Sequence, residues 1–157
     1  MHKEENIVVI KKVEPETFDD FLTLINKLAE YEKIDPPDEQ AKRRLRNYYL
    51  TDQPKFQAFI GEIGDKSVSY VIYFFTYSSF LALPTLFVED IFVLEEYRRQ
   101  GVGKKMFDFL KERAKIEGCG RIEFTVLEWN KLAQEFYERN GAKRLGWFLY
   151  RVVRDDF

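Results

Sequence analysis

The chain has 157 residues, enough for one domain with a substantial core, and its net charge of −2 sets 25 Lys/Arg against 27 Asp/Glu, so nucleic acid and anionic membrane are not expected as partners. One cysteine, Cys119, excludes an internal disulfide, and one histidine, His2, argues against a Ser-His-Asp triad or a Cys/His metal site. No metal, a cytoplasmic setting and a single domain over residues 1–157 are the expectations.

Met1–Asn6 has no apolar run, so no secretion signal is expected. Ile7–Ile10 reads as a first strand. Pro15 and Asp19-Asp20 suit a first helical turn, and Phe18, Phe21, Leu22, Ile25, Leu28 and Ala29 trace one helix face up to Tyr31-Glu32-Lys33. Asp35-Pro36-Pro37 stops that helix. A second, charged helix follows at Asp38–Leu50, with Ala41, Leu45 and Tyr48/Tyr49 inward.

From Lys55 the pattern becomes β. Phe56–Ile63 and Val68–Tyr77 flank a Gly64-Asp65-Lys66 turn and read as antiparallel neighbours. Ser67–Val88 carries no charge over 22 residues, long enough to cross a bilayer. Its β-branched and aromatic content, Ser78-Ser79 and Pro84 favour two buried strands instead. Val88–Leu94 is a strand bearing Glu89 and Asp90. Arg98-Arg99-Gln100-Gly101-Val102-Gly103 is a basic glycine turn, and Val102, Met106, Phe109/Leu110 and Ala114 continue at helical spacing. Arg121–Leu127 is the next strand, parallel to the acid-bearing one across the crossover helix. A helix at Lys131–Asn140 ends at Gly141, and Lys143–Val153 supplies closing strands.

A strand feeding a glycine turn that opens a helix is an anion site, since N–H groups converge there and the helix dipole favours negative charge. Pyrophosphate is the natural guest. A P-loop is excluded because Arg98 stands at the required Gly and Lys105 at the required Ser/Thr. The dinucleotide fingerprint is excluded because Met106 replaces its third Gly. Glu89 and Asp90 are adjacent, so on a regular strand they face opposite sides, and only a bulge would bring both to one cleft. Each is either a strand-edge charge or a general base. An alkylammonium, with a reference pKa near 10.4, must lose a proton before it attacks an acyl group, and a nearby carboxylate can accept it. Asn130 suits a helix cap, and Tyr137 shares its helix with Leu132, Ala133 and Phe136.

The R-x-x-G-x-G turn after an acid-bearing strand resembles the acyl-CoA-binding motif of the GNAT N-acetyltransferase superfamily. E-W-N-K-L-A-Q-E-F-Y-E-R-N-G-A, with L-A-E-Y-E at Leu28–Glu32, Y-F-F-T-Y at Tyr73–Tyr77 and F-V-E-D-I-F-V at Phe87–Val93, resembles most closely the spermidine/spermine N-acetyltransferases and their thialysine-acetylating relatives. The resemblance implies an α/β (α+β) fold: a mixed, mostly antiparallel sheet flanked by helices, with two splayed parallel strands forming the acetyl-CoA cleft. It implies that Ile91, Phe92 and Val93, then Arg98, Arg99, Gln100, Gly101, Val102, Gly103 and Lys104, hold acetyl-CoA, with Asn130, Ala133 and Phe136 lining its other side. It assigns Glu89 to amine deprotonation and Tyr137 to the general acid. Substrate contacts fall to Tyr31, Glu32, Glu89 and Asp90.

The activity so implied is acetyl transfer from acetyl-CoA to a diamine, polyamine or lysine-like amine in a ternary complex, by a homodimer. Two alternatives stand beside it: a protein-lysine or N-terminal acetyltransferase, and an acyl-CoA-binding regulatory domain without turnover. Ser78 replaces the acid that polyamine-acetylating members carry after Tyr77, which weakens the case for a long polycation.

Overall fold

The computed structural model describes residues 7–157; Met1–Asn6, including His2, lie outside the described residues. The chain divides into two compact units, one ending at Thr125 and one spanning Val126–Phe157.

The first unit is built on a five-stranded sheet in the order β1-β2-β3-β4-β5. Its strands are β1 (Val8–Lys12), β2 (Gln57–Ile63), β3 (Lys66–Ser78), β4 (Leu83–Val93) and β5 (Arg121–Phe124). β1 to β4 pair antiparallel, and β4 with β5 is parallel. The charge-free segment therefore forms β3 and the start of β4, whose backbone groups pair with each other, with β2 and with β5. Among the described residues no helix is long and apolar enough to cross a membrane.

Two helices, α1 (Phe18–Glu32) and α2 (Glu39–Tyr49), precede β2, and α3 (Val102–Ile116) links β4 to β5. Pro15–Thr17 makes a 3-10 turn ahead of α1, and Asp38 caps α2 by accepting from the Ala41 N–H at 2.7 Å. The helical period of the α1 face places Phe18, Phe21 and Leu24 in one buried cluster with Tyr49, Ala58, Ile60, Tyr70, Ile72 and Phe92. Burying each large apolar side chain contributes about 1.5–3 kcal/mol. Tyr49 keeps its hydroxyl satisfied by donating to the Val13 carbonyl at 2.6 Å. Tyr48, expected inward as an alternative to Tyr49, is exposed instead. On the opposite sheet face, Phe109 of α3 meets Phe59, which stacks on Tyr73.

α1 ends where Lys33 turns left-handed (φ 57°) and the Ile34 N–H reaches back to the Ala29 carbonyl at 3.0 Å. This Schellman-like closure, rather than Asp35-Pro36-Pro37, fixes the position of Tyr31 and Glu32.

β5 is shorter than the expected strand at Arg121–Leu127. Its pairing with β4 stops at Val88↔Phe124, beside a bulge in β4, and bulges commonly end a ladder.

The second unit holds α4 (Lys131–Arg139) and a 3-10 turn at Arg154–Asp156. The closing strands expected at Lys143–Val153 do not form; residues 142–153 have no regular secondary structure. A strand needs a partner edge for its N–H and C=O groups, and the unit contains no other strand to supply one.

Candidate active site

The bulge organises the first unit's chemistry. Ile72 pairs with Asp90 but Tyr73 pairs with Val88, so Glu89 is an extra residue in β4. Phase is lost across it. Val88 lies opposite Tyr73 on the α3 side, whereas Asp90 and Phe92 lie opposite Ile72 and Tyr70 on the α1 side. On a regular strand of the same length, with Glu89 paired, Asp90 would share the α3 side with Val88.

Asp90 thus reaches Tyr70, whose fully buried ring sits in the core and whose hydroxyl donates to Asp90 Oδ2 at 3.2 Å. Burial pushes the Asp90 carboxyl up to about 6, and the charges of Glu89 and Glu32 push the same way; the Tyr70 hydrogen bond opposes them. Burial also raises Glu32, at the end of α1. The Tyr70 hydroxyl is held well above its ordinary value by burial first and then by Asp90. Three carboxylates from two elements therefore share one electrostatic environment, able to attract an alkylammonium and to accept its proton. Glu89 itself is exposed.

Past Val88, β4 runs five residues further, Glu89–Val93, with no strand partner on the β5 side. A 3-10 turn at Glu95–Tyr97 then leads into the basic turn. Gly101 caps α3 with φ 83°, a left-handed conformation that glycine adopts without strain, and a Cβ there would project into open space. Arg99 takes φ 59° at a cost other residues in the turn avoid. The backbone N–H groups at the start of α3 are the orphan donors of a helix N-terminus.

Arg98 behaves unlike the rest of the turn. Its Nε donates to the Val93 carbonyl at 2.9 Å, and its guanidinium lies over the rings of Tyr31 and Phe92. Its side chain faces α1. Gln100 folds back locally, donating to the Glu96 carbonyl at 2.9 Å, and Lys104 pairs with Asp108 at 2.5 Å.

In the second unit Asn130 caps α4, its Oδ1 accepting from the Ala133 N–H at 3.2 Å. Ala133, Phe136 and Tyr137 share one helix face and are half-buried. The Phe136 and Tyr137 rings meet edge to face, 5.3 Å apart. The Tyr137 carbonyl receives the Ala142 N–H at 3.0 Å, with Gly141 left-handed between them.

The structure thus brings Tyr31, Glu32, Glu89, Asp90 and Arg98 together around the ends of α1 and β4, and groups Asn130, Ala133, Phe136 and Tyr137 on α4. Sequence reasoning missed Tyr70. It reads as an ordinary core aromatic, and only the register that sets it opposite Phe92, with the bulge beyond, brings its hydroxyl to Asp90.

Among the described residues no group of three or more His, Cys, Asp or Glu could hold a metal ion.

Known proteins resemble this chain in sequence and in fold. The sequence profile of the Acetyltransferase (GNAT) family matches residues 19–142. The chain is 33% identical to the thialysine N-epsilon-acetyltransferase of Bos taurus over 92% of its length and 91% of the bovine protein. It is 34% identical to the L-ornithine N5-acetyltransferase NATA1 of Arabidopsis thaliana over 90% of its length and 58% of the plant protein. Its fold is similar to AAC(6')-Iy solved with a CoA bisubstrate analog, with TM-score 0.77 and 17% identity over 94% of this chain and 99% of that one.

Proposed function

Since the chain belongs to the GNAT acetyltransferase family and is an N-acetyltransferase, we propose that it moves the acetyl group of acetyl-CoA to the primary amine of a small diamine, polyamine or lysine-like amino acid, as one domain spanning both units. The family match runs through Thr125 and Val126, which supports the single-domain reading. The observation that carries the acceptor class is the bulge at Glu89, which sets Glu89 and Asp90 with Glu32 beside the part of β4 that lacks a strand partner on the β5 side. Relatives that acetylate thialysine and ornithine, both with a terminal primary amine, favour the same class.

Acetyl-CoA supplies an activated acyl group as a thioester. The backbone of Ile91, Phe92 and Val93 offers N–H and C=O groups along the unpaired side of β4 to its pantetheine arm. Arg99 and the N–H groups of Gly101–Lys104 suit its pyrophosphate: the left-handed Gly101 leaves open space above the backbone, and the helix dipole adds favourable potential. Asn130, Ala133 and Phe136 of α4 are further acetyl-CoA contacts in this reading.

The three carboxylates draw in the ammonium and Glu89, at the solvent-exposed bulge, takes its proton. The freed nitrogen then forms a bond to the carbonyl carbon as the carbon–sulfur bond breaks. A β4 amide near Val93 stabilises the developing oxyanion. The Tyr137 hydroxyl would give its proton to the leaving thiolate and be restored by the proton that the acylated nitrogen sheds, so that the one net proton released is the one taken by Glu89. No covalent enzyme intermediate is needed.

The experiment is thiol release from acetyl-CoA across a panel of lysine, ornithine, thialysine, putrescine and spermine. Turnover with at least one is expected. Acetyl-CoA binding without thiol release from any of them would replace this reading with that of a regulatory domain.

The exposed C-terminal run Trp147-Phe148-Leu149-Tyr150 also supports a homodimer, in which a second copy supplies the partner edge that these residues lack.

A further inference from the structure

Arg98 lines a cavity of about 710 Å³ bounded by α1, the start of β3 and the end of β4. Its guanidinium lies 4.4 Å from the Tyr31 ring centroid and 5.5 Å from that of Phe92. The two lysines of the cavity are already paired, Lys27 with Glu30 at 3.0 Å and Lys66 with Glu96 at 3.7 Å. Among the described residues no carboxylate pairs with Arg98. With Nε committed to the Val93 carbonyl, its two terminal nitrogens remain as a planar fork that matches a carboxylate. Asp20, Glu30, Asp65, Glu95 and Glu96 line the same space, so its balance draws in a cationic ligand and Arg98 is what it offers to a carboxylate on that ligand.

The cavity is also placed at a useful distance from the acids. Its wall includes Tyr31 and Phe92. Glu32 follows Tyr31 in α1, and Asp90 lies two residues before Phe92 on the same face of β4. Two strand residues span about 6.8 Å, comparable to the reach of a lysine or ornithine side chain. The partly exposed Tyr31 ring offers an apolar surface for its methylenes.

We propose that Arg98 binds the α-carboxylate of an amino-acid acceptor whose terminal amine sits among Glu32, Glu89 and Asp90, so that the enzyme selects zwitterionic amino acids over diamines and polyamines. The amine end of this assignment rests on the acetyl-transfer reading above; the carboxylate end rests on Arg98 alone.

The test uses pairs that differ only in the carboxylate: ornithine against putrescine, and lysine against cadaverine. Each is measured by kcat/KM and by calorimetric binding for the wild type, Arg98→Gln and Arg98→Lys. The wild type should favour the amino acid of each pair. Arg98→Gln should cut that preference roughly 10–100-fold, the range for losing a charge-assisted bidentate contact. Arg98→Lys keeps the charge without the fork and should recover only part. Acetyl-CoA affinity should hold in both variants. A wild type that prefers the diamine, or variants that leave the preference intact, would overturn the assignment while leaving acetyl transfer standing. A loss of acetyl-CoA affinity would overturn it too, and would return Arg98 to the cofactor. If neither member of a pair is acetylated but ornithine binds through Arg98, the carboxylate site stands and the transfer reading falls. If neither is acetylated nor bound, both fall.

Discussion

Asp90 keeps its proton up to a pH of about 6, against an ordinary value of 3.8. Between those values the unfolded chain has released a proton that the native state retains. Stability from this group therefore falls as pH rises through the window and stays lower above it, by up to about 3 kcal/mol. Asp90→Asn keeps an acceptor for the Tyr70 hydroxyl and removes the buried charge. It should raise stability by roughly 1–3 kcal/mol at pH 7.5 and give no gain at pH 4, as read by denaturant unfolding at the two pH values; an equal change at both would mean that the anion is not penalised in the native state. Activity should suffer in the same variant, as the acid cluster loses a charge. Glu89→Gln should depress kcat/KM most at neutral pH and recover partly at high pH, where free amine is abundant. A pH profile identical to the wild type would take Glu89 out of the base role. Tyr137→Phe should lower kcat by roughly 10²–10⁴-fold with acetyl-CoA affinity retained, the usual range for a positioned acid. Near-normal turnover would leave water as the proton donor.

The pyrophosphate role proposed for the turn between β4 and α3 rests on its backbone, so its glycine is tested by adding one carbon. Gly101→Ala places a methyl at φ 83°, costing about 1–2 kcal/mol of strain, and fills the open space above the turn. The domain should stay folded while acetyl-CoA affinity, measured by calorimetry, drops; normal affinity would place the cofactor elsewhere. This turn, the β2–β3 hairpin and the α1 face were legible in the sequence because each is a local pattern: glycines at a helix start, β-prone runs on either side of Gly64-Asp65-Lys66, apolar residues at helical spacing. The bulge was not. Glu89-Asp90 looks like two ordinary neighbours until the register with Ile72 and Tyr73 is known, and register belongs to two strands at once. For the same reason Arg98 reads from sequence as part of the phosphate turn, whereas its side chain lies on Tyr31 and Phe92. The expected closing strands failed for the opposite reason: Lys143–Val153 has strand-like composition but no partner edge within its unit.

For the whole molecule, the exposed Trp147 (77%), Phe148 (86%) and Tyr150 (88%) are too much aromatic surface for one short segment to leave in water. Light scattering should give twice the chain mass, and Phe148→Asp should shift the protein toward monomer. A monomer mass independent of concentration would count against the dimer. Ser78 lies far from the acid cluster of the first unit. That residue is buried at the hairpin tip, its Oγ accepting from the Leu81 N–H at 3.1 Å, and β4 separates it from Asp90 by about 20 Å. Within one chain it does not reach the acid cluster. The extra residue in β4 carries a further consequence, for how such a chain can change over generations. Position 89 is a spacer as well as a side chain: deleting it would set Val88 and Asp90 against Tyr73 and Ile72 as ordinary neighbours, with Val88 still on the α3 side and Asp90 still on the α1 side, and would close the bulge. Replacing the glutamate keeps the bulge and loses only the carboxylate. A lineage abandoning catalysis is therefore free to drop the residue without turning either half of β4 against the core, and its descendants should show the lesion as a one-residue gap at position 89 as readily as a substitution.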